Sequence, residues 1–225
     1  MGILILLLIV AAVVYFKWIM DPKEVRDRCK NRTAEQKQVI RYFMRYGLFA
    51  LGLMKDDDYD ALVENRAKSM DFKQKAIAKI GLDESELKEI EPVHFEGYWF
   101  DDTKAFYKVG KDKKWRSSAY QISWIFFSST QLYLYQYTFN MDEDGKKERT
   151  EEYFYKDVTN LQTTTDTKEI AEWDPKKKKN VLVNMDSNRF AITVPGDKFF
   201  CSMEQNDYTE RAIQAMKAKL REKKM

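Results

Sequence analysis

The sequence predicts an α+β protein: an N-terminal transmembrane helix, a helical segment, then an antiparallel β-barrel or sandwich capped by a C-terminal amphipathic helix. Three observations carry this. Residues 2–16 hold no charge and are almost wholly apolar. Between residues 33 and 90 apolar side chains recur every three or four positions, and from Val93 the period drops to two. From about Tyr208 to Lys224 a helical stripe returns.

The first element is the run GILILLLIVAAVVYF, followed by Lys17, Trp18, Ile19 and Met20. With Lys17 snorkelling, that stretch spans about 28 Å at about 1.5 Å per residue, close to one hydrocarbon thickness. Tyr15, Phe16 and Trp18 suit the headgroup level. A cleavable signal would start with a basic segment and end in small residues, and neither is present. Residues 1–20 therefore read as an uncleaved single-pass anchor. Basic residues crowd the stretch from Lys17 to Arg45, which by the positive-inside rule puts the N-terminus outside and the body in the cytoplasm.

Residues 21–92 read as a helical segment. Thr33 and Gln36 form a capping box ahead of Val39, Ile40, Phe43, Met44, Leu48 and Leu51. Gly47 to Met54 is very apolar yet too short to span, and reads as a buried helix end. Asp56, Asp57 and Asp58 suit the positive end of the next helix. They lack the alternation, the Gly and the distal Glu of a calcium loop. Gly81 reads as a helix cap, and Asp83 with Glu86 as a second capping box for a short helix over Ser85 to Ile90.

Residues 93–225 read as the β domain. Strands are expected over Val93–Phe100, Lys104–Val109, Ala119–Phe127, Gln131–Phe139, Arg149–Tyr155, Asn180–Met185, Phe190–Val194 and Lys198–Met203. Leu132, Leu134, Gln136 and Thr138 alternate with Tyr133, Tyr135, Tyr137 and Phe139, so that strand has large groups on both faces. Turn signals fall at Gly110-Lys111-Asp112, Asp142 to Gly145, Asp186-Ser187-Asn188 and Pro195-Gly196-Asp197. In the last helix Ala212, Ile213, Met216 and Leu220 make the apolar stripe that plugs the sheet.

The segment Tyr153 to Leu161, the strand pair Arg189–Val194 and Lys198–Met203, and the helix Glu210–Leu220 carry a resemblance. A run of short strands closed by such a helix resembles the pleckstrin-homology-like fold, including bacterial variants, over residues 93–224. The Asp166–Lys179 insertion departs from a minimal version. The resemblance implies a binding domain.

Chemistry is hard to place. The chain has 39 basic and 36 acidic residues, a net charge of +3, too balanced for a dedicated nucleic-acid binder. Cys29 and Cys201 make no metal cluster and read as buried thiols. His94, flanked by Val93 and Phe95, reads as structural. No nucleophile elbow, phosphate loop or C-x-x-C is present, and no catalytic residue, metal or cofactor is assigned. Adjacent acids such as Asp101 and Asp102, or Glu151 and Glu152, point to opposite faces of a strand.

Two basic clusters fall in expected loops: Lys111, Lys113, Lys114 and Arg116, then Lys176, Lys177, Lys178 and Lys179. They suit anionic lipid headgroups or an acidic protein partner. Trp99, Trp115, Trp124 and Trp173 could mark a protein interface, though such spacing more often marks core. The reading is thus a membrane-tethered, non-enzymatic binding or scaffolding protein. The competing class is a tethered enzyme using carboxylates.

Overall fold

The computed structural model describes residues 2–14, 21–45, 54–83, 91–102, 104–174 and 179–224. Six helices are described: α1 Gly2–Val14, α2 Lys23–Arg28, α3 Ala34–Met44, α4 Asp56–Lys68, α5 Phe72–Ile80 and α6 Asp207–Lys224. The strands are β1 Val93–Tyr98, β2 Tyr107–Val109, β3 Trp115–Ser117, β4 Ala119–Phe127, β5 Gln131–Asn140, β6 Lys146–Phe154, β7 Asn160–Asp174, β8 Lys179–Val194 and β9 Asp197–Ser202.

The expected transmembrane anchor is not found. Helix α1 has 13 residues, about 20 Å at about 1.5 Å each, against a hydrocarbon core of about 30 Å. Among the described residues no helix is long and apolar enough to cross a membrane. The single-pass assignment and the orientation argued from it fall together. Tyr15, Phe16, Trp18, the stretch Gly47 to Leu53 and the whole of the short helix expected over Ser85 to Ile90 lie outside the described residues.

The helix starts follow local chemistry. Thr33 Oγ1 accepts from Gln36 N at 3.2 Å while Thr33 N donates to Gln36 Oε1 at 3.0 Å, completing the capping box. Asp56, Asp57 and Asp58 open α4, where the helix dipole favours carboxylates. Gly81 closes α5 at φ 79°, a conformation cheap for glycine.

The strands form open sheets rather than a closed barrel. One sheet has the order β1-β4-β5-β6 and another β7-β8-β9, both antiparallel meanders, with β2-β3 a separate hairpin inserted after β1. The four-stranded sheet is a middle layer. One face of β4 and β5 (Ile125, Phe127, Leu132, Leu134) packs with Phe190, Ile192 and Phe199 of the second sheet and with Ala212, Ile213 and Met216 of α6. The opposite face (Ile122, Phe126, Tyr135, Tyr137, Phe139) packs against α3, α4 and α5 through Tyr42, Phe43, Tyr59, Val63, Phe72 and Ile77. The two-sided pattern of β5 has this cause: both its faces are core.

The two sheets meet where β1 passes β9. Glu204 N donates to Glu96 O at 3.1 Å, and Ser202 N donates to Gln121 Oε1 at 2.8 Å. Gly97 permits this approach, since a Cβ there would lie 3.3 Å from the Met203 carbonyl carbon.

Strand β3 falls where none was expected, and β7 and β8 depart further. Of the stretch read as an insertion, Asp166 to Asp174 and Lys179 belong to the ladder of β7 with β8, which runs from Asn160↔Thr193 to Asp174↔Lys179. Asp186 to Asn188 stays extended instead of turning. Thr165 Oγ1 donates to Asn188 Oδ1 at 2.8 Å and Thr167 Oγ1 to Asp186 Oδ1 at 2.6 Å, so cross-strand partners absorb the polar groups that would otherwise favour a turn.

Candidate functional site

The first basic cluster sits on the β2–β3 hairpin, and the structure divides it. Lys111, Lys113 and Lys114 are exposed at its tip, with Lys113 at φ 64°. Arg116 is instead buried, 1% exposed. Its Nε and Nη2 donate to Asp60 Oδ1 and Oδ2 at 2.7 and 2.6 Å. Its Nη1 and Nη2 donate to Asp112 Oδ1 and Oδ2, both at 2.9 Å. Two bidentate carboxylates thus occupy the guanidinium, and Arg116 is a structural tie from the hairpin to α4 rather than a contact for an outside anion. A Cβ at Gly110 would clash with Arg116 Nη1, so a larger residue there would push the guanidinium against its carboxylates.

Aromatic rings complete that tie. Tyr42 and Tyr59 stack at 4.7 Å, and Tyr59 and Tyr98 at 6.1 Å. Their hydroxyls donate to Asp56, to the Ser117 carbonyl and to Asp60 respectively. Burial first, then the hydrogen bond to Asp56, pushes the Tyr42 phenol far above its ordinary range. These phenols are fixed donors and not acids at neutral pH. The carboxylates gathered here are fully engaged in holding Arg116, Tyr42 and Tyr98.

Of the second cluster, Lys176, Lys177 and Lys178 lie outside the described residues, and Lys179 begins β8. His94 packs against Trp124 at 4.9 Å, and its Nδ1 lies 3.1 Å from the Tyr208 hydroxyl, a structural placement. Cys29 and Cys201 are free and buried, and burial pushes the Cys201 thiol up to about 12.

The most site-like feature is a cleft of about 550 Å³ between α6 and the β7–β8 ladder. Thr163, Thr164 and Thr165 line one wall, Arg211 and Lys217 the helix side, with Arg189 and Asn188 between them. Glu210 is the one acidic side chain among the described lining residues. Arg189 is 6% exposed and held on three sides. Its Nη1 lies 2.5 Å from Asp101 Oδ2 and its Nε 3.5 Å from Asp166 Oδ2. Its guanidinium carbon sits 5.4 Å from the Trp99 ring centroid. Burial alone would raise the Asp101 carboxyl, but Arg189 and Lys168 outweigh it and hold it below the usual carboxylate range.

Arg189 Nη2 and Thr164 Oγ1 are buried without a hydrogen-bond partner among the described residues, and as a cross-strand pair they lie on the face of β7–β8 opposite Thr163, Thr165 and Asn188, away from the cleft. Each such orphan costs about 1–3 kcal/mol.

Sequence reasoning missed this cleft. Its threonines fall in the stretch around the presumed insertion, and Arg189 was read only as the start of a strand. The available signals were the β-favouring run Thr163-Thr164-Thr165 and an arginine placed directly before Phe190, Ala191 and Ile192.

Comparison with protein-family models, with curated proteins and with solved structures finds no match.

Proposed function

We propose that this chain is a non-enzymatic binding module whose body, residues 93–224, is pleckstrin-homology-like and which takes its ligand in the cleft between α6 and β7–β8. A four-stranded meander followed by a three-stranded meander and a C-terminal helix supports the likeness. The observation that carries the binding reading is the cleft itself. Its volume of about 550 Å³ falls within the range of about 300–1,000 Å³ typical of small-molecule sites. It brings polar groups from β7, β8 and α6 to one place. The tip lysines Lys111, Lys113 and Lys114 are a secondary surface for an acidic protein partner.

The test is a screen of small neutral, cationic and anionic fragments against the isotopically labelled full chain, read by amide chemical shifts. Shifts gathered on residues 163–165, 188–189 and 205–217 are the expected result. A screen with no shifts there, or with shifts only at residues 111–114, would overturn the assignment of the cleft.

A further inference from the structure

Strand β8 outruns its neighbour. It covers Lys179–Val194, but β9 pairs only with Arg189 to Val194. The last bond on that side is Met203 N donating to Asn188 O at 3.2 Å. In an antiparallel strand the N–H and C=O of one residue point to the same neighbour, and successive residues alternate. Asn188 faces the β9 side, so Asp186, Asn184, Leu182 and Asn180 face that side too, beyond the point where β9 has left the sheet. Among the described residues no backbone group from outside the β7–β8 ladder reaches them.

This open edge lacks the usual guards, which are charges, prolines and short length. On the same ribbon β7 carries Asp166, Lys168 and Glu169, whereas β8 from Asn180 to Met185 carries no charge and no proline. Leu182 stands 69% exposed. The sequence points to the occupant: Asn180-Val181-Leu182-Val183-Asn184 reads the same in both directions. A two-fold axis at Leu182 sets Leu182 against itself, Val181 against Val183 and Asn180 against Asn184, with no like charges opposed. Leu182 is one of the outward-facing residues, so the central pair is a hydrogen-bonded one. With Asn180 and Asn184 it closes about six backbone bonds between copies. A foreign strand would satisfy the same amides but does not call for the symmetry.

We propose that two copies of this chain pair their β8 edges antiparallel about Leu182, joining two β7–β8 ribbons into one continuous sheet. The two Leu182 side chains then cover each other on the exposed face, and Val181 lies beside Val183 on the other. The contact is short, so the dimer is a weak, transient one that forms by about 1 mM. None of the paired residues lines the cleft, so the pairing does not rest on the reading of the cleft as a ligand site.

The full chain is followed by sedimentation velocity and amide hydrogen exchange from about 10 μM to about 1 mM. The dimer fraction is expected to rise with concentration. The amides of Leu182 and Asn184 gain protection in step with it, while those of Val181 and Val183, directed at β7, hold steady. Leu182→Lys changes an exposed side chain and sets two cations on the axis, so it weakens dimerisation at least about tenfold. Two variants test the register under mild oxidation. Leu182→Cys brings two thiols opposite each other with Cα atoms about 5.5 Å apart, within disulfide reach, and links to itself. Asn184→Cys places them about 14 Å apart and does not link. The native Cys29 and Cys201 are buried. A chain still monomeric at about 1 mM overturns the proposal and leaves the edge to a foreign strand. A dimer indifferent to Leu182→Lys, or linked equally at both cysteines, overturns it by placing the association on another surface. Leu182 protection that ignores concentration overturns it as well, since the edge is then covered within one chain.

Discussion

Arg116 meets Asp60 fork to fork, Nε to Oδ1 at 2.7 Å and Nη2 to Oδ2 at 2.6 Å, and the pair ties the β2–β3 hairpin to helix α4 across 56 residues of sequence. The guanidinium is nearly inaccessible to solvent while the carboxylate is 41% exposed. Removing the carboxylate leaves a buried cation with half its partners. Asp60→Asn is therefore expected to destabilise the fold by about 2 kcal/mol, below the figure for fully buried pairs because water reaches Asp60. Urea unfolding checks this, and an unchanged midpoint would refute it. The second partner sets a pH window. Arg116 holds the Asp112 carboxyl down at about 2 against an ordinary 3.8. A depressed carboxyl stabilises the fold above its unfolded pKa, and that contribution is lost as pH falls from about 4 towards 2.

That pair also shows where sequence reading stops. The hairpin's basic character was plain in Lys111, Lys113, Lys114 and Arg116, but nothing in the spacing says that Arg116 turns inward to Asp60 while the lysines stay outside. Strand positions and helix caps are local and were legible: Thr33–Gln36, Gly81, β4 and β5 fall where propensity and period place them. The α6 stripe was legible for the same reason. The β7–β8 ladder was not, because its stability comes from cross-strand pairs such as Thr165–Asn188, which alternation in one strand cannot reveal. The apolar N-terminal run suggested a membrane span from hydropathy, and helix length decided otherwise. The cleft was illegible throughout, since its walls come from residues 163–165, 188–189 and 205–217.

Gln121 joins the two sheets. It is 1% exposed, its Oε1 accepts from Ser202 N at 2.8 Å and its Nε2 donates to Thr138 Oγ1 at 3.3 Å. Gln121→Leu keeps roughly the volume and orphans a buried backbone N–H. A loss of about 2 kcal/mol is expected. Hydrogen exchange at Ser202 should accelerate in the variant. Unaltered exchange together with unaltered stability would count against a bridging role.

Gly97 limits how near β1 and β9 come. Valine there drives methyl groups into the Met203 backbone, already 3.3 Å from where the Cβ would sit. Gly97→Val is expected to cost about 1–3 kcal/mol by forcing the strands apart. The thermal midpoint should fall, with amide shifts spreading along β9. A variant as stable as the parent would mean the approach is not tight.

His94 gives a second pH window. Burial lowers its pKa from 6.5, so the fold prefers the neutral ring. The sign follows: stability is complete above about 6.5 and declines as pH falls through the folded value, because the unfolded chain takes up the proton first. It is the only histidine in the sequence, so the effect is assignable. His94→Phe keeps a ring beside Trp124 and should flatten the thermal midpoint between pH 7.5 and pH 5. An identical slope in both proteins would exclude His94 as the cause.

The middle position of the β1-β4-β5-β6 sheet has a consequence for how the chain divides. The residues before Val93 are not an appendage to a self-sufficient β domain. Without α3, α4 and α5, the rings of Phe126, Tyr135, Tyr137 and Phe139 would form a bare hydrophobic wall facing water. The helices and the sheet must therefore be inherited, expressed and engineered as one unit, and a junction placed between them would create an adhesive surface rather than a free-standing module.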